Sequence, residues 1–442
     1  MNTTGIRLAF ALAAAAFPIP GFSAPETPPV VKDPPRTWID PDTGHRVIRI
    51  TDDPGTESLY FNYNSITPDG KEMIFTTRGG GISVLDLATW KNRPVVKAGA
   101  RVIMVGHKTP RVFYIKSQEN ALYATNLDTG ETQKLADMPP GGSVSAINAD
   151  ETIVAGTRVL GENPERRGGA GRGNGRSGAG KSGSYQADDK MEMMERRLAE
   201  HLPNEIFLID LGTGKRTTLI ENTDWLNHLQ FSPTDPGLLL YCHEGPWWKV
   251  DRIWTIRTDG TQNTLVQPRT MEMEASGHEF WSADGRKIYY DLQTPWGVVF
   301  WVAGYNIETK ERTWYHIERS EWSIHFNATS DETLFCGDGS DNPPAPWADA
   351  SNRWIYLFVP DTVINGAPWK TMRWPYVTAP GETLVRPGVF HTEKLVHMVK
   401  HNYLLEPNPI FTPDKKYVIF RSDMFGDTYA FAVEVAKAAS AQ

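Results

Sequence analysis

One unit recurs down the chain about every 40–50 residues: an apolar stretch, a turn resembling S/T-P-D-G, a β-rich run, and a second strand ending in a D-L-x-T-G turn. SITPDGKEMIFTT (65–77) with ISVLDLATW (82–90) is the first copy, and TPRVFYIKS (109–117) with LYATNLDTG (122–130) the second. INADETIVAGT (147–157) with IFLIDLGTG (206–214) is the third, split by an insertion, and FSPTDPGLLLYC (231–242) with IWTIRTDG (253–260) the fourth. FWSADGRKIYYD (280–291) with GYNIETK (304–310), NATSDETLFCGD (327–338) with WIYLFVPD (354–361), and FTPDKKYVIFRSD (411–423) with YAFAVEV (429–435) complete seven. This period predicts an all-β fold, a seven-bladed β-propeller with four-stranded antiparallel blades. HRVIRIT (45–51) has no unit of its own and is expected to join the last blade and close the ring. A β-sandwich of short strands would not need the repeated D-L-x-T-G turns.

Residues 1–24 have the pattern of an export signal: Arg7, the apolar run LAFALAAAAF (8–17), and a small-residue exit at Ser23-Ala24. The apolar run is short for a bilayer span and no later segment reads as one, so a periplasmic or secreted protein is expected. The propeller then occupies 25–442, with an insertion at about 162–190. Within it GRSGAGKS (175–182) fits the nucleotide-binding pattern G-x-x-x-x-G-K-S. That loop works only between a buried strand and a helix start, and here it lies in a Gly/Arg/Ser tract, so no nucleotide is expected. MEMMERRLAEHL (191–202) reads as a helix docking the end of the insertion near the propeller rim. A net charge of −8 argues against nucleic acid or an anionic membrane as partner. Cys242 and Cys336, both inside strand-like runs, are expected to be buried free thiols, with a disulfide as the alternative.

Propeller loops converge on one opening, and several runs rich in polar and aromatic residues fall where such loops belong. CHEGPWWKVDRIW (242–254) contributes His243, Glu244, Trp247, Trp248, Asp251 and Arg252, and SGHEFWSADG (276–285) contributes His278 and Glu279. WSIHFN (322–327) and KHNYLLEPN (400–408) add His325, His401, Asn402, Glu406 and Asn408. Any one of these can instead be a satisfied core residue. It is their convergence that points to a site.

The sequence H-E-G-P, then V-D-R-I-W, then G-H-E-F-W-S-x-D-G, then E-P-N-x-x-F-T-P-D resembles the oligogalacturonate lyase family, from about Trp38 to Val435. That resemblance implies a seven-bladed propeller that cleaves pectin fragments by β-elimination to 4,5-unsaturated uronates, with a bound divalent metal, usually Mn²⁺. The family's base falls on His278 and its catalytic arginine on Arg252, where a guanidinium can grip a carboxylate in bidentate fashion. His243, Trp247 and Trp248 are expected to bind substrate, the indoles by stacking. The family's first metal ligand matches His325. Its Q-x-x-H-x-H ligands fall on Tyr403, Glu406 and Asn408, a departure that still leaves oxygen donors, with His401 nearby as a further nitrogen. The expected partner is an acidic oligosaccharide. The alternatives are a non-catalytic envelope propeller and a lyase for another uronate-containing glycan.

Overall fold

The computed structural model of the chain describes residues 29–161, 187–340, 353–362 and 385–438. The export signal and the Gly/Arg tract read from the sequence lie outside the described residues. Apart from one α-helix, α1 (Ala187–Glu200), and a 3-10 turn at Arg319–Glu321, the regular structure among the described residues is β. The helix begins four residues before the apolar pattern implied. It ends where His201 turns left-handed at φ 46°, two residues before Pro203.

The strands form antiparallel meanders in chain order. The first sheet has three strands, Glu72–Thr77, Gly81–Asp86 and Asn92–Val96, and the segment before it bridges to its edge through Glu57–Thr76 and Ile66–Met73 pairs. The second holds Ala100–Val105, Arg111–Lys116, Ala121–Asn126 and Thr132–Asp137. The third holds Gly142–Ile147, Ile153–Val159, Asn204–Asp210 and Arg216–Asn222, so α1 falls inside it between two paired strands. The fourth runs from Trp225–Phe231 through Leu238–Glu244 and Ile253–Arg257 to Thr264–Leu265. An eight-stranded sheet follows, made of two four-stranded meanders joined by a parallel pairing of Arg312–Ile317 with the start of Val385–His397. Its first half, the fifth meander, begins at Ala275–Trp281, and its second half, the sixth, begins at Phe326–Ala328. In the last sheet, Ile410–Phe411, Tyr417–Phe425 and Asp427–Lys437 are completed by the chain's first strands, with Val47 opposite Val433.

The turn motif has a physical cause. The backbone N–H of Thr67, Gly106, Asn148, Ser232, Ser282, Thr329 and Thr412 each donates to a carbonyl five or six residues on. Where the residue is Ser or Thr and an Asp follows two places later, the hydroxyl donates to that carboxylate, as in Thr67–Asp69, Ser282–Asp284, Thr329–Asp331 and Thr412–Asp414. The D-L-x-T-G turns close likewise, the Asp86 and Asp210 carboxylates accepting two backbone N–H groups each.

Neighbouring sheets pack face to face. Ile74 and Val84 meet Val112 and Tyr114, and Phe113 and Leu122 meet Val144 and Phe207. Ile206 and Leu208 meet Leu239 and Tyr241, while Ile50 and Ile419 of the last sheet meet Met73 and Phe75 of the first. Each such side chain contributes about 2 kcal/mol on burial. The inner segments line one cavity of about 500 Å³, with Ile66, Ile103, Ile147, Phe231, Trp281, Ala328 and Phe411 all on its wall. First and last sheets are in contact, and the cavity lies where the inner strands end and their turns begin.

Candidate active site

Four residues before each recurrent turn, the chain carries Tyr63, Val102, Val144, His228, His278, His325 and Asn408. Bulges interrupt the inner strands here, between Val102 and Met104, Val144 and Ala146, Asn227 and Gln230, and Gly277 and Phe280. His228, His278 and Asn408 take left-handed backbone, at φ 50°, 48° and 52°. Such conformations occur where the surroundings fix them, and they re-aim a side chain out of the sheet's alternation.

His278 is 25% exposed, and its Nδ1 lies 2.8 Å from Asp291 Oδ1 on the next strand. Gly277 leaves room for that carboxylate: a Cβ there would lie 3.2 Å from Asp291 Oδ1. The His278 ring meets the His325 ring edge-on at 4.9 Å. His325 is buried, with Nδ1 2.8 Å from Asp338 Oδ2, while its backbone N–H donates to Asp338 Oδ1. Its Nε2 faces Tyr60 Oη at 3.2 Å and Glu406 Oε2 at 3.8 Å. Burial pulls the His325 pKa down, but Asp338 and Glu406 outweigh it and the value is raised. Burial likewise opposes charge on Glu406, yet His325 and His278 hold its carboxyl below the usual range. Tyr60 is kept protonated, first by burial and then by Glu406 and Glu279.

Beside this group lies a charged network inside the fourth and fifth meanders. Arg252, with only 4% of its side chain exposed, donates from Nη1 to Glu244 at 2.8 Å and from Nε to Glu279 at 3.3 Å. Glu244 also meets His228 Nε2 at 2.9 Å, and Glu279 accepts from Cys242 Sγ at 2.7 Å. Burial would raise the Glu244 pKa, but Arg252 and His228 hold it far below the usual carboxylate range. The Glu279 carbonyl accepts from Asn62 Nδ2 and Gln230 Nε2, which ties the first, fourth and fifth meanders together.

The residues expected from sequence thus separate. His278, His325 and Glu406 come together. Arg252 stands beside them and holds two of the protein's own carboxylates, Glu244 and Glu279. His243 is a core residue rather than a substrate contact: it lies 3.0 Å from Asp224 Oδ2, stacks on Trp254, and burial lowers its pKa. His401 turns to Asp423 and Ser422. The Asn408 amide accepts from the Phe61 N–H and donates to the Glu406 carbonyl, so it fixes the backbone that presents Glu406. Trp247 and Trp248 are half-buried at the mouth of the fourth meander, with Trp248 against Trp296. Sequence reasoning missed His228, Tyr60, Asp291 and Asp338. Counting back from each S/T turn would have found His228.

Among the described residues no three His, Cys, Asp or Glu side chains form a metal cage. Two members of the expected set nevertheless fit an ion. With Nδ1 fixed by Asp338, His325 has its Nε2 on the Glu406 side, the usual arrangement of a metal-binding histidine with a carboxylate behind it. The amide of Asn408 is committed elsewhere, while His401 is engaged through Nδ1 and its buried Nε2 has no hydrogen-bond partner among the described residues.

Fold and site together define an all-β protein of repeated meanders that brings His278, His325, Tyr60 and Glu406 into one cluster. Residues 199–439 match the family described as oligogalacturonate lyase, and the chain belongs to that family and is an enzyme of the lyase class. It is 24% identical over 410 residues to an oligogalacturonide lyase of Pectobacterium atrosepticum, covering 90% of this chain and 95% of the relative. An oligogalacturonate lyase of Dickeya dadantii is 23% identical over 413 residues, with the same coverage. Two solved structures share the fold. One is an oligogalacturonate lyase in complex with manganese, with a TM-score of 0.67 and 22% identity over 94% of this chain and 99% of the other. The second is an oligogalacturonate lyase from Vibrio parahaemolyticus, with a TM-score of 0.69 and 21% identity over 91% and 96%. The family read from the motifs is borne out.

Proposed function

We propose that the protein is an exported seven-bladed β-propeller that cleaves oligogalacturonides by β-elimination. Seven recurrent turns, the parallel seam that divides the eight-stranded sheet, and the pairing of Val47 with Val433 support seven blades closed by an N-terminal strand. Export rests on the leader pattern of residues 1–24.

The observation that carries the reaction is His278, held through Nδ1 by Asp291 and partly exposed beside His325, in a chain of this family. Donation of the Nδ1 proton to Asp291 leaves the Nε2 lone pair free to take the C5 proton of a uronate. The C5–H electron pair becomes the C4–C5 double bond, the C4–O bond breaks, and the departing oxygen takes that bond's electrons and then a proton. Arg252 is a positioning residue: it orders Glu279, next to the base, and Glu244, which holds His228. A divalent cation such as Mn²⁺, held by His325 Nε2 and the Glu406 carboxylate, would supply Lewis-acid stabilisation of the charge gathering on the substrate carboxylate. Glu406 and Asn408, where the resemblance implies imidazoles, favour a second reading in which the same elimination acts on another uronate.

Incubating the protein with a panel of uronate oligomers, with and without Mn²⁺, tests both. The product's conjugated double bond is read by ultraviolet absorbance. Appearance with galacturonides supports the first reading, appearance only with another uronate the second, and none with any member sinks both.

A further inference from the structure

We propose that α1 builds an additional sugar subsite at the mouth, in which Lys190 binds the carboxylate of a uronate unit beyond the scissile pair and so sets the preference for chain length. This rests on the uronate reading above. Three contacts fasten the helix over the loops of the fourth meander. The Lys190 ammonium lies 5.1 Å from the centre of the Trp247 ring, Glu195 pairs with Lys249 at 2.7 Å, and the Arg197 guanidinium covers Trp225 at 3.6 Å. The insertion leaves the third meander at the end where the inner strands begin, which is the end that carries His278. The helix therefore lies against the loop that follows Glu244, the carboxylate held by Arg252.

Several other cations around the mouth already have carboxylates, whereas the half-buried Arg101 donates to the Ser143 hydroxyl and the Val144 carbonyl. Arg252 holds Glu244 and Glu279, Arg421 holds Glu57 at 2.9 Å, Lys249 holds Glu195, and Arg269 holds Asp251 at 3.1 Å. Among the described residues, Lys190 is partnered by an aromatic ring instead. It is an exposed ammonium beside an indole, with the Trp248–Trp296 pair adjoining. An acidic sugar has the matching pair of features, an apolar ring face for the indole and a carboxylate for the ammonium. A neutral sugar has only the first.

Lys190→Ala and Lys190→Arg are made in the full chain, and kcat and KM are measured on di- and trigalacturonate, with thermal unfolding as a folding control. For Lys190→Ala the KM on trigalacturonate should rise about tenfold, the scale of one charge-assisted contact. The preference for trimer over dimer should fall with it, kcat should move much less than KM, and Lys190→Arg should recover most of the loss. An unchanged trimer-to-dimer preference in folded Lys190→Ala overturns the subsite. Should the wild type eliminate no galacturonide, the lyase reading fails separately, and calorimetric binding of trigalacturonate decides the subsite. Binding about tenfold weaker in Lys190→Ala supports it, while equal binding or none by the wild type overturns it.

Discussion

At one register, the second and third sheets carry Val102 and Val144, while the fourth to seventh meanders carry His228, His278, His325 and Asn408. The inner-strand bulge occurs on both sides, so the backbone device is common and the chemistry is not. The difference lies in how far the bulge goes. On the valine side the pairing skips one residue, and on the histidine side it skips two, His228 and His278 taking left-handed backbone. A β-branched residue is a steric outlier in that region, whereas His and Asn tolerate it. The side that matches the family, residues 199–439, is the side where the backbone has been opened to aim polar groups.

The contrast breaks most severely at Arg252. Removing it as Arg252→Ala leaves Glu244 and Glu279 buried without their cation, and a loss of about 3–5 kcal/mol is expected in denaturant unfolding. A variant as stable as the wild type would mean that the network on the polar side is not structural. His278→Asn keeps a residue that accepts the left-handed backbone but removes the base. Turnover should fall about 10²-fold or more with little change in unfolding, and near-normal turnover would remove His278 from the reaction.

Glu244→Gln tests the charge itself. The Glu244 carboxyl is depressed in the folded protein, so its contribution is complete above the unfolded value near pH ~4.3 and is lost as pH falls through the folded value. The variant should therefore be about 2 kcal/mol less stable at neutral pH, and the gap should narrow in acid. A gap that widens in acid reverses the assignment. Val102→Thr changes the equivalent position on the quiet side and should shift stability by no more than about 1 kcal/mol. Its turnover should be indistinguishable from wild type, and a large loss would show that both sides serve the chemistry.

Much of this was legible in the sequence because the turns declare themselves locally. The hydroxyl–carboxylate pairs of Thr67 with Asp69 and Thr412 with Asp414 need only neighbours in the chain. His278 in GHEFW was legible through the family resemblance, whereas its partner Asp291, thirteen residues on, was not. His243 was misread because a polar run hides strand alternation. Successive side chains point to opposite faces, so Glu244 reaches Arg252 while His243 packs on Trp254. His228 was missed because WLNHLQF carries no motif of its own, and only its register, four residues before the Ser232 turn, marks it. His401 and Asn408 share a polar run with Glu406, yet their partners, Asp423 and the Phe61 amide, lie on other segments.

The two thiols also give the protein a clock. Cys242 and Cys336 are unpaired, and burial raises both thiols well above their ordinary range, Cys242 further so through Glu279. A thiolate-seeking reagent can reach either only when the surrounding strands part. The rate at which each is labelled would then report how often the fourth or the sixth meander opens, one clock beneath the charged network and one beyond it.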